Sequence, residues 1–156
     1  MPVPARPRLR SAGTLVVALA GTALACEPRA EPPDEGPRLL ELDSATLPLP
    51  DSVDLMVVVL DRSLAADIEP AALEVRAGDI VRFEARDAAA HAIVFEGNGL
   101  GDEARQFLEV TGQLRSPPLV GVGNAWVVSF GNAPPGEYPF HCATHGAAGR
   151  ISVRAR

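Results

Sequence analysis

The chain has 156 residues, 47% of them hydrophobic and 22% charged, which leaves room for one domain of ordinary size with appended segments. This composition fits neither a wholly disordered chain nor a membrane protein with several spans. Twenty acidic residues against fourteen basic ones, all of them Arg, give a formal net charge of -6 at pH 7. An acidic chain with scattered Arg has no cationic stripe for nucleic acid, so a nucleic-acid partner is excluded.

Residues 1–25 have the layout of a signal peptide. A basic segment at residues 6–10 precedes an apolar run at residues 15–25, which is too short to span a bilayer as a mature helix. The sequence Ala23-Leu24-Ala25-Cys26 resembles a bacterial lipobox, although its Leu stands two residues before the Cys instead of three. We expect lipidation of Cys26; ordinary cleavage after Ala25, which leaves a free thiol, is the alternative. In both cases the protein is expected to be exported and to fold on the periplasmic or extracellular side.

Residues 26–50 are interpreted as the lipidated Cys followed by a Pro-rich, acidic tether. Residues 27–50 contain seven Pro or Gly residues, with acids between them and no clear apolar periodicity. Such a stretch favours an extended, semi-rigid chain that joins the domain to the membrane only through the N-terminal lipid. A disordered remnant of signal cleavage is the alternative.

Residues 51–156 are predicted to form one all-β domain. Runs of β-branched or alternating residues, separated by Pro and Gly, predict strands at 53–60, 73–76, 80–85, 92–95, 126–130, 138–142 and 151–153. Helical turns are expected within 61–72 and at 102–108, where two acids suit a helix N-terminus. Trp126 and Phe130 share a strand face and are expected in the core. Seven or so short strands with this punctuation indicate an antiparallel β-sandwich.

Three side chains form a candidate metal site. Cys142 ends a predicted strand, His145 follows three residues later in a Gly- and Ala-rich loop, and His91 begins a strand 51 residues upstream. One thiolate and two imidazoles are the trigonal ligand set of a blue-copper electron-transfer site. His141 neighbours Cys142 on a strand, so its side chain is expected on the opposite face. The competing interpretation is a buried thiol beside an ordinary loop histidine.

Other metal sites and enzymes agree less well with these residues. A closed structural zinc site usually has four protein ligands, and copper oxidases need additional histidines, whereas the chain contains three. A nucleophilic Cys–His pair would need a third group to orient the His. The sequence therefore predicts a protein that is not an enzyme.

The sequence also resembles a known family. The stretches 73–83 and 91–95, followed by Gly136-Glu137-Tyr138-Pro139-Phe140-His141-Cys142-Ala143-Thr144-His145, are similar to the two halves of plastocyanin-like cupredoxins, the type 1 blue-copper domains. The resemblance covers roughly residues 53–153. It implies a Greek-key antiparallel β-sandwich that carries one copper ion and transfers single electrons. It also implies that His91 and His145 are the imidazole ligands and Cys142 is the thiolate ligand.

One family feature is missing from this sequence. The family usually supplies a weak axial Met shortly after the second His, but Ala148, Gly149 and Arg150 stand three to five residues after His145. The loop is also about one residue short. A three-coordinate site, a backbone carbonyl or water as fourth ligand, and degraded copper binding all remain open.

The combined expectation is an exported, membrane-tethered cupredoxin that carries single electrons between redox partner proteins. The small apolar rim Gly146, Ala147 and Ala148 is expected to dock these partners, because it surrounds the loop histidine. A protein that buffers or delivers copper without redox turnover is the first alternative. A copper-free sandwich that serves as an interaction module is the second.

Overall fold

Twelve strands and one helix form in residues 36–42 and 45–156, the parts of the chain that the computed structural model describes. The strands are β1 (Leu39–Leu42), β2 (Ala45–Pro48), β3 (Leu55–Leu60), β4 (Ile68–Glu69), β5 (Ala72–Arg76), β6 (Ile80–Ala85), β7 (Ala90–His91), β8 (Ile93–Phe95), β9 (Leu119–Val120), β10 (Ala125–Ser129), β11 (Gly136–Cys142) and β12 (Ala148–Arg154). Helix α1 spans Asp102–Val110. The predicted signal peptide and Cys26 lie outside the described residues.

Two four-stranded sheets make up the sandwich. One has the strand order β10-β6-β3-β4 and the other has the order β5-β12-β11-β8. The all-β sandwich predicted from the sequence is confirmed. Its strand pairs are not all antiparallel, because β3 runs parallel to β6 and β5 runs parallel to β12. Each parallel pair joins strands that are separated by a crossover through other parts of the chain.

The core lies between the inner faces of the two sheets. Strand β6 shows the underlying pattern, since Val81, Phe83 and Ala85 are buried and alternate with partly exposed neighbours. Phe83 makes edge-to-face contacts with Phe140 of the other sheet at 5.1 Å and with Phe95 at 6.3 Å between ring centroids. The contact between Phe83 and Phe140 holds β11, the strand that ends at Cys142, against β6 of the other sheet.

Trp126 in β10 and Phe130 directly after it differ in burial. Phe130, directly after the strand, is fully buried, as predicted. Trp126 is only partly buried, and its ring stacks on Phe83 with centroids 5.7 Å apart. Both side chains therefore contribute packing to the domain.

The structure differs from the sequence interpretation in two segments before β5. Residues 39–48, interpreted as part of the tether, contain the paired strands β1 and β2. Leu40 is buried, and the guanidinium of Arg82 donates a hydrogen bond of 3.1 Å to the carbonyl of Glu41. In 61–72 there are turns and β4 instead of a helical turn, because Ile68 is buried beside β3. The helix predicted at 102–108 is present and extends to Val110.

No helix in the described part of the chain is long and apolar enough to cross a membrane.

Candidate metal centre

The fold brings the three predicted ligands together. Cys142 is the last residue of β11, His145 lies in the turn that follows, and His91 ends the short strand β7. The Cys142 Sγ atom is 3.8 Å from His91 Nδ1 and 3.6 Å from His145 Nδ1. One ligand atom from each residue lies within 4.8 Å of the others, which is close enough for all three to bind one ion.

A tight turn after β11 aims His145 back at Cys142. The amides of His145 and Gly146 both donate to the carbonyl of Cys142, at 3.3 and 2.7 Å. Gly146 has a positive φ of 77°, a backbone conformation that other residues rarely adopt. The amide of Cys142 then donates to the carbonyl of Ala147 at 2.7 Å and closes the turn. The Cys142 thiol and the His145 imidazole, three residues apart in sequence, are therefore brought together by this turn.

A second hydrogen bond links this turn to the strand of the upstream histidine. The amide of Ala143 donates to the carbonyl of Ala92 at 2.7 Å. Ala92 follows His91 directly, so this bond fixes the position of His91 relative to Cys142. The two imidazole rings meet nearly edge to face, at 71° and 4.9 Å between centroids.

The environment of Cys142 favours its thiolate form. Burial of the side chain raises the pKa of the thiol, but hydrogen bonds more than offset this effect and lower the pKa to about 6. The donors are the backbone amides of Ala92 and Thr144, the Thr144 hydroxyl and the ring of His91; the hydroxyl lies 3.7 Å from Sγ. Since the thiolate is the form that binds a metal, ligation requires little rearrangement of charge.

His91 is the buried histidine of the site, with 1% of its surface exposed. Its Nε2 atom lies 2.8 Å from Asp87 Oδ1. Burial lowers the pKa of His91, whereas the bonds to Asp87 and Cys142 raise it, and the net direction is upward. The backbone amide of Arg62 and the ring of His91 lower the pKa of Asp87 to about 2, so this carboxylate is charged at neutral pH.

The sequence interpretation did not include Asp87. Its only signal there is an acid four residues before a histidine, which is too common to single out. The contact becomes visible only when the loop between β6 and β7 is folded.

Alternation along β11 separates His141 from the site, as predicted. His141 is partly exposed, and its Nε2 atom lies 3.4 Å from Glu96 Oε1. In the register of β11 and β12, His141 is opposite Ala148. Residues opposite each other share a face of the sheet, so exposed Ala148 lies on the side away from Cys142.

This register corrects the sequence-based expectation about the axial position. The residue that returns to the face of Cys142 is Ala147, which precedes β12 and packs against the core. Counting three to five residues from His145 gave Ala148, Gly149 and Arg150, whereas the register places Ala147, two residues after His145, on the face of Cys142. Neither alanine offers a thioether, and Met56 lies in β3 of the other sheet.

The donor set fits copper. A thiolate is soft enough for Cu(I), and imidazole binds both Cu(I) and Cu(II). Three protein donors are one fewer than a closed tetrahedral zinc site uses. The fold and these three side chains therefore define a β-sandwich with a His–Cys–His group that could bind one copper ion.

Comparison with known proteins identifies the family. The sequence profile described as copper binding proteins, plastocyanin/azurin family, matches residues 57–154. The chain belongs to this family, as the sequence resemblance predicted. Among curated proteins, none matches the chain.

Several solved structures are similar to this chain. A reduced variant of amicyanin is 25% identical, with a TM-score of 0.49 over 68% of this chain and 86% of that chain. An oxidised amicyanin variant is 26% identical, with a TM-score of 0.48 over 64% and 82% of the two chains. A purple cupredoxin from Nitrosopumilus maritimus is 21% identical, with a TM-score of 0.47 over 64% and 99%.

Family and site together support a copper electron-transfer protein. Cupredoxins are generally electron carriers rather than enzymes, and they are typically exported or periplasmic.

Proposed function

We propose that this protein is an exported, membrane-tethered electron carrier that exchanges single electrons with partner proteins through one copper ion held by His91, Cys142 and His145. The observation that carries the proposal is the convergence of Cys142 Sγ with the Nδ1 atoms of both histidines at 3.6 to 3.8 Å. Copper bound by such a set supplies a one-electron couple, Cu(II)/Cu(I).

The protein contributes a ligand set that is already assembled. Three backbone hydrogen bonds within the turn and one to Ala92 hold Cys142 and His145 in place. His91 and Cys142 are each 1% exposed, so neighbouring side chains restrict their rotamers. Fixed ligands keep one geometry in both oxidation states, which makes the reorganisation that accompanies electron exchange small.

Access to the site is through His145. This ring is half-buried, while Gly146 and Ala148 beside it are exposed and Ala147 is partly exposed. We infer that this rim, Gly146, Ala147 and Ala148, is where redox partner proteins dock. Small apolar residues let a partner approach the imidazole edge closely, with few charged groups to desolvate.

Two exposed valines on or next to the strand that pairs with β7 add apolar surface near His91. Strand β9 pairs with β7; Val120, its last residue, is 63% exposed, and Val122, two residues later, is 71% exposed. They support docking at the end of the sandwich that holds His91, because exposed apolar residues favour partner contact.

The decisive test of the proposed function is the visible spectrum of the protein with Cu(II). Thiolate-to-Cu(II) charge transfer should give an intense colour that bleaches on reduction, and Cys142→Ser and His145→Gln should each weaken or abolish it. His141→Gln is the matched control, because His141 faces away from the site, and it should retain the colour. A folded protein that binds one Cu(II) without colour would contradict electron transfer and favour copper buffering or delivery. Absence of binding would favour an interaction module.

Membrane attachment depends on Cys26 and is tested separately. The mature protein should partition into detergent, and its N-terminal peptide should carry the mass of a lipid. Cys26→Ser should release the protein to the soluble fraction or block its processing. A wild-type protein with an unmodified N-terminus at residue 26 would contradict the lipid anchor.

A further inference from the structure

The first long strand of the sandwich begins at the end opposite the proposed copper ligands. Strand β6 runs from Ile80 to Ala85, and the loop that follows it leads to His91 at the metal centre. At the other end of β6, the amide of Ile80 donates a hydrogen bond of 2.9 Å to the carbonyl of Asp54. Strand β3 begins directly after Asp54 and runs parallel to β6. Asp54 therefore marks the base of the sandwich, the end away from the metal centre.

The β1–β2 hairpin starts at this base and is held against the domain. The guanidinium of Arg38, directly before β1, lies 3.6 Å from Asp54 Oδ1. Further along β1, the carbonyl of Glu41 accepts a hydrogen bond of 3.1 Å from Arg82, whose side chain leaves the outer face of β6. Leu40 is 4% exposed. A hairpin of two short strands cannot bury a Leu side chain to this extent by itself, so Leu40 packs against the domain.

We propose that this hairpin fixes the point at which the tether leaves the domain, so that the copper end of the sandwich faces away from the membrane and receives partner proteins from the aqueous phase. This inference rests on the membrane attachment in the proposed function. Arg38 is the first residue of the chain that the hairpin contacts hold. The tether therefore joins the domain at the base, and not beside His145.

The hairpin also limits how far the tether reaches. Cys26 and Arg38 are 12 residues apart. If the hairpin were released, the chain would first be held at Pro50, whose carbonyl accepts a hydrogen bond from the amide of Val53 and which is 24 residues from Cys26. An extended Pro-rich chain rises about 3.1 Å per residue, so the two lengths are about 37 Å and about 74 Å. Docking of the hairpin thus halves the reach of the tether.

The shorter tether favours one orientation of the domain. If the copper end turned toward the bilayer, the base would be raised by at least the length of β11, whose seven residues span about 23 Å. The tether would then have to extend over most of its reach, which costs conformational entropy. With the copper end outward, the same tether stays relaxed. Release of the hairpin removes this bias, because a tether of about 74 Å is long enough for both orientations.

Proteins with a single tryptophan can report the orientation on lipid vesicles. Trp126 is the one tryptophan of the chain, so Trp126→Phe removes the native signal. In this background, Asp51→Trp marks the base and Val122→Trp marks the copper end, and both positions are exposed. Val122 belongs to the copper end because the amide of Gly123 donates to the carbonyl of Ala85 at 2.8 Å. The full lipidated protein, free of metal, is reconstituted with a dansyl-labelled headgroup lipid, and energy transfer from each tryptophan is measured.

Leu40→Asp is designed to release the hairpin, and Leu39→Asp is its matched control. Leu40 is buried, whereas Leu39 beside it is 49% exposed, so the same new side chain disturbs the contact with the domain in only one variant. Arg82→Met is a second route, since it removes the donor to the Glu41 carbonyl and adds no buried charge. Hydrogen exchange of the amides in β1 and β2 reports docking of the hairpin in each full-length protein.

With the native hairpin and with Leu39→Asp, we expect several-fold stronger energy transfer from position 51 than from position 122. The length of β6 alone puts about 16 Å between the two levels, and transfer falls steeply with distance. In Leu40→Asp the hairpin amides should exchange about tenfold faster or more, which corresponds to the lost burial of one Leu side chain, and the two transfer efficiencies should converge.

Three results would overturn the proposal. Equal transfer from the two positions with the native hairpin, or stronger transfer from position 122, would overturn the orientation. Unchanged exchange in both Leu40→Asp and Arg82→Met would overturn the docking contacts. A released hairpin with an unchanged ratio of transfer efficiencies would overturn its role in limiting the tether.

This proposal and the proposed function fail in different ways. A mature protein without lipid would contradict the membrane attachment, whereas hydrogen exchange would still decide whether the hairpin is docked. Because the measurements use the metal-free protein, absence of copper binding would contradict electron transfer and leave the orientation test intact.

Discussion

Ala147→Met tests whether the copper site lacks an axial ligand. Ala147 lies on the same face as Cys142, and the amide of Cys142 donates to its carbonyl at 2.7 Å. A methionine here would bring a thioether to the site, and an axial thioether donates weakly to Cu(II). We therefore expect a lower midpoint potential in this variant than in the wild type.

The size of the effect follows from the strength of the new bond. If the thioether stabilises Cu(II) relative to Cu(I) by about 1.4 kcal/mol, which is a tenfold preference, the one-electron potential falls by about 59 mV. Because Ala147 packs against the core, the longer side chain also risks a loss of about 1–3 kcal/mol of folding stability from overpacking. Thermal unfolding of the metal-free variant separates this loss from the change in potential.

Ala148→Met is the matched control for this experiment. It adds the same side chain one residue later, at an exposed position opposite His141, on the other face of the sheet. Its potential should equal that of the wild type, measured in parallel by spectroelectrochemical titration. A lower potential in Ala148→Met but not in Ala147→Met would refute the assignment of faces. If spectroscopy shows the new sulfur bound in Ala147→Met without a lower potential, the axial position was already occupied.

Three further predictions concern the surroundings of the site. Burial, with a smaller effect of a nearby acid, raises the pKa of Tyr138 to about 12. The contribution of Tyr138 to the unfolding free energy should therefore be constant below about pH 10 and fall between about pH 10 and 12, by at most about 1.4 kcal/mol per pH unit. Urea titrations of Tyr138→Phe should show a weaker fall of the unfolding free energy in this range. Gly149→Ala should cost about 1–3 kcal/mol in chemical denaturation, because its Cβ would clash with the Phe140 ring and lie 2.8 Å from the backbone oxygen of Ala71. Phe140→Leu should recover only the part of the loss that comes from the ring. Thr144→Val should change the energy of the thiolate charge-transfer band, whereas Thr144→Ser should preserve it, since the hydroxyl lies 3.7 Å from Cys142 Sγ and donates to the sulfur when Cys142 is a thiolate.

The sequence was informative where a local pattern determines the structure. Alternation of apolar residues placed β6 at residues 80–85, and β-branched residues placed most of β3. The spacing of Cys142 and His145 indicated that both could reach one ion, because a turn of three residues leaves few other arrangements. His91 was included because it begins a predicted strand, and the family resemblance then supported it as a ligand; its distance in sequence from Cys142 gives no geometric information by itself.

The remaining features depend on contacts between distant segments. Asp87 is anchored by the amide of Arg62, 25 residues away, and no sequence pattern marks that bond. The assignment of Ala147 to the face of Cys142 depends on the register of two strands, which a difference of one residue inverts. The strands at 39–48 were missed because surrounding Pro residues suggested a tether, while burial of Leu40 provides part of the stabilisation.

The central position of β12 has a consequence for how the protein is made. This strand is the last in chain order among the described residues, yet it lies between β5 and β11 and pairs with both. Leu73, for example, is opposite Ile151, so this sheet cannot close while the nascent chain still lacks β12. The turn that carries His145 is closed by the residue just before β12. The three copper ligands can therefore be held in place only after β12 has been synthesised, and a chain that stops before β12 would leave its ligands unassembled.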